Sequence, residues 1–391
     1  MTVTVIGWDG LALAPAAAEA MARATLVTGP DRLLRELGLK DAVPYGEDLL
    51  GVLDGHLEHG EGSAAVLAEG DPGFFGVVRE LRGHGLRPAV LPAVPLAARA
   101  FACAGLNWED ALVVAPEHAG QLGRVVNACR AHHKVGVLCA PGVGPGELAR
   151  ELAPTTPRAL IVCEDLGGPA ERVTHSRMGE ATTRPWKDPD VVLVVDPLHR
   201  PQPRSWVAGP RPGPAEWALP GGGLPPEVRA FVLAKLGPRL GDLVWDVGSG
   251  SGEIAVECAR LGAAVIAVER DEAACARIRR HVLDHGVKVA LTRGNAPPAL
   301  EPLPDPDAVY VGGGGPDVVV ACAARRPRSL VCVVRAIEQV PAILDRMREY
   351  GYRAEGTQIQ AAHFTVLPDG THGLAPAEPV LVLYGVPAHS E

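Results

Sequence analysis

Short apolar runs alternate along this chain with stretches whose apolar positions recur at helical spacing. Up to residue 196, the runs Val3–Ile6, Thr25–Thr28, Ala64–Ala68, Ala111–Val114, Val135–Cys139, Ala159–Cys163 and Val191–Val195 predict strands. Helices are expected near Pro15–Ala24, Phe74–Arg82, Leu96–Ala104, Gln121–Ala131 and Gly146–Leu152. Further on, Val228, Phe231, Val232 and Leu236 share one helical face. Then come a strand at Leu243–Val247, a glycine turn, a helix near Glu253–Leu261 and a strand at Ala264–Val268. A helix at Glu272–Asp284, strands at Val287–Leu291, Ala308–Val311 and Leu330–Val334, and a helix at Val340–Tyr350 follow. Two last runs, Arg353–Gln360 and Pro379–Tyr384, read as an antiparallel pair joined by a longer loop. This alternation predicts α/β architecture, and seven strands ending in such a pair suit a doubly wound sheet.

One segment breaks the alternation. Residues 197–226 read PLHRPQPRSWVAGPRPGPAEWALPGGGLPP. Proline lacks an amide donor and glycine is entropically costly in regular elements, so neither helix nor sheet is expected there. The expectation is a linker, with Trp206 and Trp217 pinning it to a surface, between domains at 1–196 and 227–391.

Composition narrows the function. Of 391 residues, 47% are hydrophobic but only 4% aromatic, so the cores must be built from Ala, Val and Leu. A net charge of -9 argues against a nucleic-acid partner. The N-terminus has no basic leader, and no run reaches the ~18 apolar residues of a membrane span. The eight cysteines form no Cys-x-x-Cys pair and sit mostly in apolar runs, as expected of buried free thiols in a reducing cytoplasm, and no metal site is expected.

The strongest local motif is Val244-Trp245-Asp246-Val247-Gly248-Ser249-Gly250-Ser251-Gly252. A strand feeds a glycine turn that opens a helix, where backbone can approach a ligand and free amides can receive it. Strand Val265–Val268 ends in Glu269, about 20 residues on, where a carboxylate can accept both hydroxyls of a ribose. The Asp-x-Gly-x-Gly-x-Gly order resembles motif I of class I S-adenosylmethionine (SAM) methyltransferases, with a Rossmann-like seven-stranded sheet. The resemblance implies cofactor binding by Asp246, Gly248, Ser249, Gly250, Gly252 and Glu269, with Asp246 orienting loop amides or reaching the methionine ammonium. Asn295 and Ala296 match the adenine-contact position, and Asp305–Gly313 matches the fourth strand with the loop over the active site.

In the first half, Glu69-Gly70-Asp71-Pro72-Gly73-Phe74-Phe75-Gly76 is a tight turn on physical grounds alone. It also resembles the Gly-Asp-Pro-x-Phe-x-Gly signature of the tetrapyrrole methylases, which bind SAM between two α/β lobes. Ile6–Gly10, Gly105–Ala111 and Glu164–Val173 match further family segments in order. That implies a second SAM site using Gly70, Asp71 and Pro72.

The pairing of the two domain types resembles the precorrin-6Y C(5,15)-methyltransferase (decarboxylating) family. It implies methylation of a tetrapyrrole at C5 and C15, with loss of the C12 acetate carboxylate, in cobalamin biosynthesis. It also implies a small-molecule substrate and a homo-oligomer. In-line positioning next to an activated methyl would dominate catalysis, and no catalytic acid or base is identified.

Several positions depart from the family pattern. Gly221–Glu227 replaces a Met-x-Thr-Lys stretch, Pro95-Leu96 replaces Ser-Ser, and Ala115–Gly120 lacks the usual arginine. Arg335 stands where Asn is usual, and Gly373 and Glu378 replace an Arg and an Asn. Two alternatives follow: a repurposed paralogue methylating another metabolite over a structural N-terminal domain, and a non-catalytic SAM-binding scaffold. Arg325, Arg326 and Arg328 read as solvated charges or as a carboxylate-binding rim. His363 and His372 fall on the final hairpin, where either could handle a proton.

Overall fold

Alternation along Leu243–Val247 sends Leu243, Trp245 and Val247 into one core and Val244 into another, so the strand is covered on both faces. The computed structural model describes residues 2–46, 48–57, 62–198, 208–210 and 223–388. Residues 199–207 and 211–222 of the expected linker, with Trp206 and Trp217, lie outside the described residues. Two compact units emerge: Met1–Leu122, Lys134–Ala153 and Pro157–Gly209 form one, and Gly123–His133, Pro154–Thr156 and Pro210–Glu391 the other.

The first unit carries two five-stranded sheets. One is wholly parallel, from β1 (Thr2–Trp8), β2 (Leu26–Gly29), β3 (Val43–Pro44), β4 (Ser63–Glu69) and β5 (Ala89–Leu91), in the order β3-β2-β4-β1-β5. The second is mixed, from β6 (Leu112–Val114), β7 (Lys134–Leu138), β8 (Ala159–Glu164), β9 (Arg172–Arg177) and β10 (Pro189–Val195), in the order β6-β7-β10-β8-β9. Two α/β lobes therefore sit in this half, as expected.

The second unit holds β11 (Leu243–Val247), β12 (Ala264–Glu269), β13 (Ala290–Arg293), β14 (Ala308–Val311), β15 (Ser329–Val334) and β16 (Tyr352–Ile359). A hairpin of β17 (Ala362–Val366) and β18 (His372–Pro376) precedes β19 (Val380–Pro387). The seven-stranded order is β13-β12-β11-β14-β15-β19-β16, with β19 antiparallel to both neighbours. Strand order reverses at β11, so the carboxyl ends of β11 and β14 flank the natural ligand crevice of such a sheet.

Local differences from the sequence expectations have local causes. The strand expected at Val287–Leu291 starts at Ala290, because the Val287 amide still closes on the Val282 carbonyl at the preceding helix end. The helix expected from Phe74 begins at Val78, since Asp71 and Pro72 accept turn bonds from Phe74 and Val78. The helix Gly315–Ala323 was hidden in a glycine run that reads as loop. The expected long final loop folds as the β17–β18 hairpin.

The arginine run is neither a solvated face nor a rim throughout. Arg325 donates to Asp305 and to the Leu300 and Glu301 carbonyls. Arg328 donates to Asp242 and to the Leu236 and Gly237 carbonyls. Both cations tie loops to the sheet, and Arg326 stays exposed.

Candidate functional site

The loop after β11 is built on three glycines in the left-handed region, Gly248 (φ +72°), Gly250 (φ +59°) and Gly252 (φ +84°). L-residues adopt these angles at a cost, which accounts for the glycine spacing. Asp246 lies beneath the loop, completely buried. Its Oδ2 accepts from the Ser249 hydroxyl at 2.7 Å and from the Ala255 amide at 2.9 Å, joining the loop to the helix Glu253–Arg260. Its Oδ1 has no partner among the described residues. Burial pushes this carboxyl up to about 7; the Ser249 and Ala255 bonds pull it down, and Glu253 and Glu269 push it further up.

Glu269, at the end of β12, accepts from the Gly250 amide at 2.8 Å through Oε2. Its Oε1 accepts from the Arg270 and Asp271 amides at 2.8 and 2.9 Å. An ionised carboxylate offers about four acceptor positions, so roughly one remains for a ligand hydroxyl. Glu253 is also buried, and takes the Ser251 hydroxyl at 2.9 Å and the Leu224 amide at 3.0 Å. It thereby ties the segment before the helix Pro226–Leu236 to the glycine loop.

A cavity of about 630 Å³ opens against this loop. Gly248, Ser249, Gly250 and Ser251 form one side; Tyr310, Gly312–Gly315 and Val333–Arg335 form another. Of the residues singled out from sequence, Gly248, Ser249 and Gly250 line it. Asp246, Gly252, Glu269, Asn295 and Ala296 do not line it. Asp246 and Glu269 act on the loop from behind, and Gly252 packs on Ile278, where an added Cβ would meet a side-chain carbon at 3.0 Å. His363 and His372 do not line the cavity; His363 Nε2 lies 3.7 Å from Glu227. Tyr310, Gly312 and Gly313, within the Asp305–Gly313 segment matched from sequence, line it too, whereas Glu253, Arg277 and Gln339 line it and were not singled out from sequence. These three come from helices after the motif, and only pairing of β11 with β14 places Tyr310 opposite Asp246.

In the first unit, Gly70 (φ +61°) donates to the Trp8 carbonyl at 2.7 Å. Asp71 Oδ1 accepts from the Gly73 amide at 2.7 Å, closing the turn on itself. Gly70, Asp71 and Pro72 line neither of the two cavities described next. One, of about 560 Å³, is bordered by Cys139, Gly142, Arg150, Trp186 and Asp190; the other, of about 20 Å³, lies among Trp8, Asp9, Arg32, Glu69 and Asp190. Burial pushes Asp190 up to about 6 against the Leu166 amide that binds it at 2.6 Å. Around the narrow cleft, Arg99 donates to Glu171 at 2.8 Å and to the Asp9 carbonyl at 2.8 Å, and Arg32 pairs with Asp165 at 3.2 Å. Arg99, Glu171 and Asp190 gave no pattern in sequence that tied them together; only packing of the two lobes does.

Residues 9–182 match the family model described as Tetrapyrrole (Corrin/Porphyrin) Methylases, and residues 225–385 that of the Precorrin methyltransferase domain. The chain is 34% identical over 345 residues to a precorrin-6Y C(5,15)-methyltransferase [decarboxylating] of Sinorhizobium sp, covering 83% of this chain and 81% of that protein. It is 31% identical over 360 residues to a protein of the same description from Mycobacterium tuberculosis, covering 86% of each. A probable cobalt-precorrin-6B C(15)-methyltransferase (decarboxylating) of Pyrobaculum calidifontis matches at 37% over 145 residues, covering 35% of this chain and 74% of that protein.

Proposed function

The chain belongs to the precorrin-6Y C(5,15)-methyltransferase (decarboxylating) family, and we propose from that premise that it methylates precorrin-6Y at C5 and C15 with loss of the C12 acetate carboxylate. SAM supplies an electrophilic methyl on a sulfonium. The chain's own residues hold, orient and shield. The observation that carries the reading is the glycine loop of Gly248–Gly252, fixed from behind by Asp246 and Glu269 at the strand-order reversal and facing a cavity of about 630 Å³.

The residues fit SAM. Three left-handed glycines keep side chains off the loop, Glu269 keeps an acceptor position for a ribose hydroxyl, and the nearby carboxylates favour a sulfonium. Asn295 and Ala296 follow β13, on the side where the adenine would lie. Tyr310 and the Gly312–Gly315 loop face the acceptor. Burial raises the Tyr310 hydroxyl well above its usual value, so it stays a neutral donor at the cavity wall. Gly70, Asp71 and Pro72 would shape the second SAM site, in a domain we place at 1–196, with 197–226 as linker and 227–391 as the second domain.

The test is mass spectrometry of the reaction of the purified whole chain with precorrin-6Y and SAM. The expected product has gained two methyl groups and lost carbon dioxide. A second reading, a paralogue with a structural N-terminal half, is favoured by one observation: Gly70, Asp71 and Pro72 line neither described cavity of that half. Calorimetric titration separates the two, since the first requires two SAM sites per chain and the second one.

A further inference from the structure

Arg335 follows directly on β15, at the carboxyl edge of the sheet, and lines the 630 Å³ cavity together with Val333, Val334 and Gln339. Unlike Arg325 and Arg328, its guanidinium has no hydrogen bond or ion pair to any described residue. Charge lies at both walls of this cavity: Glu253 and Arg277 line it on the glycine-loop side, and Arg335 on the other. Asp246, Glu253 and Glu269 gather at the glycine loop, the side suited to a cation. Arg335 stands across the sheet, beyond β14. The other arginine in the lining, Arg277, comes from the helix after β12, on the loop side.

We propose that Arg335 binds a carboxylate of the methyl acceptor, and that this is a carboxylate the reaction retains. The inference rests on the reading that this half methylates an acidic macrocycle. The retained group follows from the chemistry. In decarboxylation the C–CO2 bond breaks, its electron pair stays on the carbon and delocalises into the ring, and neutral carbon dioxide leaves. A guanidinium on the departing carboxylate would stabilise the charged reactant more than the transition state and slow the step. On another carboxylate of the same macrocycle it fixes register through a forked, charge-assisted pair. Arg335 is therefore a specificity residue that selects an acidic acceptor and orients its reacting carbon.

The test compares the whole-chain protein with its Arg335→Ala, Arg335→Asn and Arg335→Lys variants in steady-state turnover of precorrin-6Y. The expected result is a KM raised about 10- to 100-fold in the Ala and Asn variants, less in Lys, with kcat changed far less. SAM affinity should be unchanged, and the ratio of carbon dioxide released to methyl transferred should hold. An unchanged KM in active protein overturns the inference. If the unsubstituted protein does not turn over precorrin-6Y, the functional reading fails by itself. Titration with uroporphyrin, a polycarboxylated macrocycle, then decides: weaker binding by Arg335→Ala upholds the anion site, and equal binding overturns it.

Discussion

Glu269 and Gly250, 19 residues apart, are joined by a single hydrogen bond of 2.8 Å from amide to carboxylate. That bond couples the end of one strand to the loop after its neighbour, so this carboxylate and the glycine loop are one unit. Glu269→Ala should therefore lose a ligand acceptor and release the loop together. We expect SAM affinity at this site to fall about 10- to 100-fold, with Glu269→Gln in between. Calorimetry on the whole chain reads this, and unchanged affinity would remove Glu269 from the site.

Asp246 gives a pH signature. Its carboxyl titrates at about 7 in the fold against the usual 3.8. Between those values the folded state keeps a proton that the unfolded state has released. The contribution is full below the lower value and lost as pH rises through the upper one. Asp246→Asn removes the titration and keeps an oxygen for Ser249 and Ala255. The loss of urea stability from about pH 5 to about pH 8 should be smaller in the variant; equal losses would place the titration elsewhere.

Two loop glycines should respond differently to alanine. At Gly250 a Cβ meets open space, so Gly250→Ala carries only the left-handed backbone cost of about 1–2 kcal/mol. At Gly252 the Cβ would also crowd Ile278. Gly252→Ala should lower the melting temperature more than Gly250→Ala. The reverse order would mean the helix start at Gly252 relaxes freely.

Arg328 answers Asp242, a carboxylate only 2% exposed, and two carbonyls at the end of the helix Pro226–Leu236. Arg328→Ala leaves that buried charge without its cation, at a cost of about 3 kcal/mol. Denaturant unfolding followed by Trp fluorescence measures it. Arg326→Ala is the control, with an expected change near zero.

Cys103 is exposed, whereas Cys139 is half-buried and the remaining six cysteines are buried. Partial burial and then Glu171 raise the Cys103 thiol above its usual value. A thiol reagent should label Cys103 first yet slowly, and Glu171→Gln should speed it by favouring the thiolate. Labelling of another cysteine ahead of it would contradict the packing of Glu171 against Cys103 and Arg99.

The parts of the fold legible from sequence were those where one residue pattern decides. Leu243–Val247 is apolar on both faces because it lies at the centre of a covered sheet. Val43–Pro44 is too short to carry a period, and Gly312–Gly315 concealed a helix start. At the site, the glycine loop and its distant carboxylate could be read because chain spacing sets their distance. Glu253 and Arg277 could not, since their meeting depends on strand order and helix packing. Sequence offered two roles for Asp246; in the structure its Oδ2 accepts from the Ser249 hydroxyl and the helix amide of Ala255, and its Oδ1 has no partner among the described residues.

The position of β19 bears on how the second unit is made. Residues 380–387 lie between β15 and β16, which precede them in the chain. During synthesis, the hydrogen-bonding edge of β15 therefore stays open after the glycine loop, Glu269 and Arg335 have all emerged from the ribosome. A chain stalled before residue 380 would carry the whole ligand-facing surface yet expose the edge of an apolar strand to any other strand in reach.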